Sequence, residues 1–337
     1  MMEVQAYEQW QGDNVFFCKG KIMMGPDFLR AFITIGLINI PEFLFLCFPG
    51  SVLDTRYEFL IASSILLVLC DAYFLLSAFT NPGYIPKQEP PFAIGPKGAP
   101  TITFYTTCLK ELKNPMNTKF VNLPYGYNLM KLKYCKTCLI VRPPRASHCS
   151  CCNVCVEKFD HHCPWVGNCI GKRNYKYFIG FLSTFVGLLI VNIIGCIYAF
   201  NTLWELENYE FLGVTCFLLL CYFCVLWIVF GLWGYHLYLL SSNQTTIEKL
   251  KQAWNRIIGN PYEDNVFKNI FTELCKNMPQ TWFDLNKKGT NEVCIIQESW
   301  SEKALASKVQ GLEETCVIVP KEYLRKTFSY ESISKKK

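Results

Sequence analysis

The chain has 337 residues, 51% of them hydrophobic and 15% aromatic, and a formal net charge of +6. An ordinary water-soluble domain is a poor fit, because the apolar residues gather in runs long enough to cross a bilayer. The 19 cysteines do not describe a small secreted disulfide scaffold in a chain of this size; they suggest metal ligation and membrane-buried thiols.

Residues 1–27 are polar and mixed, without the basic start, short apolar core and small cleavage residues of a signal peptide. Apolar spans are predicted at about 29–48, 57–79, 177–200 and 212–240. The first is expected to break at Pro41, with the adjacent Glu42 reaching the lumenal interface. The fourth exceeds the roughly 20 residues a bilayer requires, so it should tilt or project. An acid inside a span, Asp71, reads either as a functional group or as a polar contact between helices. Cys196, Cys216, Cys221 and Cys224 read as small apolar residues. His236, near the end of the fourth span, reads as an interfacial aromatic.

Four spans put both termini on one side, and the basic residues choose which. The link 49–56 holds one, Arg56; the link 201–211 holds none and carries Glu205, Glu207 and Glu210. Segment 80–176 holds 14 and the tail after 240 holds 15. Positive charge stays in the cytosol, so the termini and the 80–176 segment are expected there. Neither short link contains cysteine, which agrees with reduced thiols on the cytosolic side.

Between the second and third spans, Asn81-Pro82-Gly83 ends a helix, and 86–126 reads as an irregular loop rich in Pro, Gly and Lys. After the fourth span, Thr245-Thr246-Ile247-Glu248 is a helix-start signal. Its continuation through Leu250, Trp254, Ile257 and Ile258, with Lys249, Lys251 and Arg256 between, suits a helix lying on the membrane or packing on the cysteine-rich segment. The expected organisation is a terminal segment 1–28, spans over 29–79, a loop 80–134, a cysteine-rich domain 135–176, spans over 177–240, a C-terminal domain 241–290 and a flexible tail 291–337.

The cysteine-rich stretch carries the chemistry. Cys135, Cys138, His148 and Cys155 follow the spacing C-x2-C-x9-H-x6-C, and a shift of fourteen residues lands on Cys149, Cys152, His162 and Cys169. Each set offers three thiolates and an imidazole, a common tetrahedral zinc environment. The sets interleave, so two structural zinc ions and one tied unit are expected. Eight ligands leave Cys151, His161 and Cys163 over. Cys151 has Thr137 as its counterpart and reads as a bystander. Asp160-His161-His162-Cys163 then supplies a spare thiol, an imidazole two residues before it and a carboxylate to orient the ring: nucleophile, base and orienter. Nearby cationic groups should favour the thiolate, the reactive form.

Asp160-His161-His162-Cys163-Pro164-Trp165 followed by Asn168-Cys169 resembles the cysteine-rich signature of the DHHC protein S-acyltransferases. The likeness extends over roughly 15–290. Thr245, Thr246 and Glu248 match the Thr-Thr-x-Glu of that family; Asn260-Pro261-Tyr262 and Asn269 match a later motif, with Asn265 where glycine is usual. Asn81 stands where the family commonly has aspartate. The segment Gly20 through Gly25-Pro26 and the tail 260–289 look most like the Ras-acylating subgroup and its plant relatives.

The resemblance implies an all-α integral membrane protein of four transmembrane helices, with a cytosolic two-zinc domain of short hairpins between the second and third. It implies acyl transfer from palmitoyl-coenzyme A to membrane-proximal protein cysteines through a Cys163 acyl-enzyme, with His161 moving the proton, Asp160 holding the ring, Thr246 holding Asp160 and Asn269 in support. Arg142 and Arg145, and Lys172 and Arg173 beside them, are candidates for coenzyme A phosphates, the bland alternative being the basic flank of a helix, which is favoured for Lys176. Trp165 suits the membrane interface, and the acyl tunnel is expected to end near Leu188 on the third helix. The expected partners are the bilayer, cytosolic-cysteine substrates such as Ras-like proteins, and an accessory subunit; no nucleic acid is expected. The expected location is the ER, Golgi or plasma membrane. Rival readings are a non-catalytic zinc adaptor and a channel built on Asp71 and Glu42.

Overall fold

The computed structural model describes residues 6–53, 57–87, 121–125, 128–132, 134–253, 260, 262–275, 277–279 and 281. Most of the loop read over 86–126, Trp254, Ile257 and Ile258, and the tail beyond 290 lie outside them. Among the described residues four helices are long and apolar enough to cross a membrane. They are α1 (Phe28–Cys47), α2 (Tyr57–Phe79), α3 (Tyr175–Glu205) and α4 (Tyr209–Ser241). At 1.5 Å per residue α3 and α4 are about 45–50 Å long against a hydrocarbon core of about 30 Å, so both extend beyond it. The helix α3 is central: 50% of its most apolar stretch is buried inside the protein, against 22%, 17% and 17% in the other three. Its neighbours are α2 and α4.

Two expectations for the first span are corrected. Pro41 does not break α1, which runs through it unbroken. Within a bundle, neighbouring helices can supply partners for backbone groups beside a proline. The Tyr222 hydroxyl of α4 donates to the Pro41 carbonyl at 2.8 Å and fastens α4 to α1 there, while the acceptor that the proline leaves without an amide is the Leu37 carbonyl four residues earlier. Glu42 does not reach the lumenal interface. It is 1% exposed and bonded to Ser63 of α2 and Asn192 of α3. Asp71 accepts a hydrogen bond from Asn39 of α1 at 3.2 Å, the interhelical contact that was one of its two readings.

The segment between α2 and α3 is a stack of short antiparallel hairpins: Tyr134–Cys135 with Ile140–Val141, Ser147–Cys149 with Val154–Val156, and His161–Cys163 with Asn168–Ile170. Tyr84–Ile85, just beyond α2, adds a third strand beside Val154–Val156. A further hairpin, Val121–Tyr125 with Asn128–Leu132, corrects the irregular-loop reading at the end of that stretch. The hairpins are fastened to the membrane helices through their polar groups. Asn168 Nδ2 donates to the Ala78 carbonyl at 2.8 Å, and Asn174 Nδ2 donates to those of Ser77 and Cys169. From the other side, Gly25 N donates to Gly167 O, and the Thr34 hydroxyl donates to Trp165 O.

After α4 the chain forms α5 (Thr246–Leu250) and α6 (Val266–Leu274). Thr245 and Glu248 close a full capping box on α5. Ile247 packs with Trp10 and Phe16 against the apolar core of the zinc-type hairpins, while Leu250 is exposed. For Ile247 the packing alternative therefore holds.

Candidate active site and metal-binding sets

The fourteen-residue repeat survives in three dimensions. In each knuckle the amide of the second cysteine donates to the first sulfur at 3.4 Å, Cys138 to Cys135 and Cys152 to Cys149. The residue after each knuckle, Leu139 or Asn153, adopts a left-handed backbone with φ of 57° or 52°. Each histidine faces the last cysteine of its set across a hairpin, His148 opposite Cys155 and His162 opposite Cys169.

These eight side chains fit zinc. Bond lengths of about 2.3 Å to sulfur and 2.0 Å to nitrogen in a tetrahedron require S···N edges of about 3.5 Å. The observed edges are 3.6, 3.3 and 4.0 Å from His148 Nδ1 to Cys135, Cys138 and Cys155. From His162 Nδ1 to Cys149, Cys152 and Cys169 they are 3.7, 3.4 and 3.4 Å. The two sets are thus able to hold two metal ions. His162 uses Nδ1 toward its set and bonds Asp27 Oδ2 through Nε2 at 2.9 Å. A carboxylate on the far nitrogen fixes the tautomer and ring orientation of a metal-ligating histidine.

The strand His161–Cys163 turns neighbouring side chains to different faces. Successive side chains on a strand point to opposite faces. His162 points to the metal set, so His161 and Cys163 share the other face. The hairpin turn needs Gly167 at φ +69°, where a Cβ would also meet the Phe28 Cα and Ala31 Cβ at 3.1 Å. Cys163 is 8% exposed and belongs to the apolar cluster of the membrane helices. Cys151 is exposed and outside both metal sets.

Asp160 is 2% exposed and fully engaged. Its Oδ2 accepts from His161 Nδ1 at 2.7 Å and from the Thr246 hydroxyl at 2.7 Å, and its Oδ1 accepts from Thr246 N at 2.9 Å. Burial alone would raise its pKa, but the His161 hydrogen bond and charge, with the Thr246 amide, hold it below the ordinary value. Burial works against the His161 cation, yet the bonds to Asp160 and Cys163 outweigh it and push the pKa up to about 9. With Nδ1 held by Asp160, Nε2 is the nitrogen left to take a proton from the thiol.

Two readings change here. His236 is not an interfacial aromatic. It is 2% exposed, takes a 3.3 Å contact with the Tyr175 hydroxyl at Nδ1, and lies against the His161 ring with centroids 5.7 Å apart. Arg145 is not available for a phosphate. Its guanidinium is buried, bidentate to Glu248 at 2.8 Å and bonded to Asn243. Of the other cations, Lys172 bonds Glu157 and Arg173 donates to the carbonyls of Asn81 and Pro279. Arg142 is half-buried. Trp165 is 62% exposed, and Leu188 is buried in the same apolar cluster as Cys163. Asn269 is buried and donates to Ser241 O and Asp264 O, tying α6 to the end of α4.

A family model described as DHHC palmitoyltransferase matches residues 128–253. "Probable protein S-acyltransferase 2" of Arabidopsis thaliana is 37% identical over 296 residues, covering 82% of this chain and 68% of that one. "Palmitoyltransferase ZDHHC9" of Bos taurus is 37% identical over 83% of this chain and 79% of its own. "Palmitoyltransferase ZDHHC18-A" of Danio rerio is 36% identical over 83% of this chain and 61% of its own. The chain belongs to the DHHC palmitoyltransferase family. The resemblance read from the motifs is therefore borne out, plant relatives included.

In this DHHC chain Asn81 keeps part of what an aspartate could do there. Its Oδ1 accepts from Gly83 N and Tyr84 N at 2.9 and 3.0 Å, so the turn is held without a charge. Residues that the sequence reading missed are Asp27, Glu248 as the partner of Arg145, and His236. The first two are acids far in sequence from what they hold, and no spacing rule links them. His236 carried a signal, being a lone histidine in an apolar span, but its partners are Tyr175 and His161, which helical spacing along α4 cannot reveal.

Proposed function

We propose that the chain transfers a long acyl chain from acyl-coenzyme A to cysteines of membrane-bound proteins, with Cys163 as the covalent carrier. The observation that carries this is the alternation at His161–Cys163. A thiol surplus to both metal sets shares a face with an imidazole already oriented by a buried aspartate. In the first step the Cys163 proton passes to His161, and the sulfur attacks the thioester carbonyl. The bond to the coenzyme A sulfur breaks, and that thiol leaves with the proton from His161. In the second step a substrate thiol gives its proton to His161 and attacks the Cys163 thioester. The acyl–Cys163 bond breaks, and the proton returns to Cys163. Asp160, held by Thr246, stabilises the imidazolium in both steps. When bound, zinc pins the hairpins; with four protein ligands in each set it offers no open position for a water.

Arg142 is the remaining candidate for coenzyme A phosphates among the cations read from the sequence, since its Nε is buried without a hydrogen-bond partner among the described residues. Trp165 lies in the interface beside the donor. Substrates are proteins with cytosolic cysteines at the membrane, Ras-like proteins among them, and an accessory subunit belongs to the same expectation. The termini and the hairpins face the cytosol of an ER, Golgi or plasma membrane.

The test pairs zinc per chain with hydroxylamine-sensitive label from palmitoyl-coenzyme A. Cys163→Ser should lose the label and keep two zincs. His161→Ala should keep zinc and label slowly, and His162→Ala should lose both. Zinc loss in Cys163→Ser, or full thioester label in that variant, would overturn the assignment.

A further inference from the structure

Three side chains of metal-ligating type meet beside Cys163, and none of them belongs to either cysteine set. Asp160 and His161 come from the hairpin and His236 from α4, and one donor atom of each lies within 4.8 Å of the other two. Two imidazoles and a carboxylate suit Zn²⁺, whereas Mg²⁺ and Ca²⁺ take oxygen ligands. The nitrogens are already assigned. His161 Nδ1 faces Asp160 Oδ2 at 2.7 Å. His236 Nδ1 contacts the Tyr175 hydroxyl at 3.3 Å, which leaves Nε2 for an ion. Thr246 holds the carboxylate from behind through its amide and its hydroxyl. Outer partners of this kind orient metal ligands.

Geometry, charge and access all admit a cation. Zinc bonds of about 2.0–2.2 Å to nitrogen and oxygen require edges of about 3–3.5 Å between ligand atoms. The Asp160–His161 edge must open slightly, and the others close by no more than about 1.5 Å. With both imidazoles neutral the three groups carry one negative charge, and Asp160 and His236 are each only 2% exposed. Phe178 walls them with apolar surface, its ring edge-on to both imidazoles at 5.3 Å from His161 and 5.0 Å from His236. A charge so shielded attracts a cation more strongly than one in water. The His161 side chain is 27% exposed, so an ion has a way in.

We propose that Asp160, His161 and His236 form a third Zn²⁺ site, reversible and inhibitory, that shuts off Cys163. The shut-off rests on the acyl-transfer reading above; the binding does not. An ion bridging Asp160 and His161 takes the Nδ1 lone pair and sends the proton shared there to solvent. The one proton left on the ring sits on Nε2, so the imidazole has no lone pair to accept the Cys163 proton. The thiol, which His161 otherwise bonds, loses its base. Each cysteine set offers four protein ligands and this one three, so it binds more weakly and fills after them.

Two measurements on the untagged full chain test it. In the first, protein holding its two structural zincs is dialysed against buffered free Zn²⁺, and zinc per chain is counted. Wild type should rise from two to three and return to two when free zinc is lowered, and His236→Phe should stay at two. Tyr175→Phe keeps all three ligands and removes the hydroxyl behind His236, so it should bind the third ion about 10–100-fold more weakly. In the second, palmitoyl label on Cys163 is followed along the same titration, each chain against its own rate at low free zinc. Label should fall in wild type as the third ion binds, and inhibition of His236→Phe should need at least about tenfold more zinc, the least that losing an outer partner costs. Mg²⁺ over the same range should leave the label unchanged. Wild type that stays at two zincs, or His236→Phe that takes the third as readily, overturns the site. If His236→Phe loses its structural zincs, Tyr175→Phe decides, and an unchanged third affinity there overturns the site. A third zinc bound with full label, or equal inhibition by Mg²⁺, overturns the shut-off. Wild type that binds the third zinc but takes no label even at low free zinc upholds the site and sinks the transfer reading instead.

Discussion

His162 is asked to do one thing on each nitrogen, and only one of the two was readable. The C-x9-H-x6-C repeat assigns it to a metal set from spacing alone. What holds its far side, Asp27, lies 135 residues away at the start of α1. Only the fold brings that carboxylate to 2.9 Å. Such an outer partner typically supports metal affinity by 10–100-fold. Asp27→Asn should therefore keep the fold and shift zinc release to lower chelator concentration by about that factor, for one of the two ions. A competition titration with a chromogenic chelator reads this directly. Biphasic release in the variant is expected, and release superimposable on wild type would remove Asp27 from the site. Arg145 is the opposite case. The sequence marks it as a free cation near a phosphate-binding surface, because it sees charge and not burial. The structure gives it Glu248, 103 positions away, with side chains only 5% and 7% exposed. Burial disfavours the cation, but Glu248 more than compensates and its pKa is raised.

At the scale of elements, the short helix α5 supports the hairpin that carries His161 and Cys163. Its first turn was legible, since Thr-Thr-x-Glu is a capping signal whose spacing states its own geometry. The free amide and the hydroxyl of Thr246 both end on Asp160, which is where unsatisfied N-terminal amides favour a carboxylate. Thr246→Val keeps the amide, the branching and nearly the volume, and removes only the hydroxyl. A hydrogen bond to a charged group contributes about 1.5–3 kcal/mol, so Cys163 acylation should slow by about 10–100-fold if Asp160 positions His161 through it. Zinc content should stay at two, and Thr246→Ser should restore most of the rate. Equal rates in Thr246→Val and wild type would mean the amide alone suffices. The membrane helices were legible for the same reason that α5 was: a bilayer imposes a length and an apolar run, and both are written in the chain. Pro41 and Glu42 were misread because a single span was judged against lipid. Their partners are Tyr222, Ser63 and Asn192, on three other helices.

For the whole molecule the fold decides that the basic segments share one end. The C-terminal segment grips the hairpins through Arg145–Glu248, Lys158–Glu273 and Asp160–Thr246. The hairpins are in turn fastened to the end of α2 and the start of α3 through Asn168 and Asn174. The described parts of 80–176 and of the tail after 240 thus lie together, and in the sequence these two segments hold 14 and 15 of the 33 basic residues. The links at the opposite end hold one and none. With helices fixed as a bundle, orientation is a single choice for the molecule, and the bias in basic residues makes it. Glycosylation acceptors engineered within 201–211 should be modified when the protein is made in microsomes, whereas acceptors within 100–120 should stay unmodified. The link at 201–211 already has three acids and no cation to oppose translocation, so added acceptors leave the charge bias unchanged. Modification at 100–120 with none at 201–211 would invert the molecule. It would also put eight zinc-type thiolates and histidines, and the Cys163 thiol, in an oxidising lumen, where neither a reduced metal site nor acyl transfer from a cytosolic donor could persist.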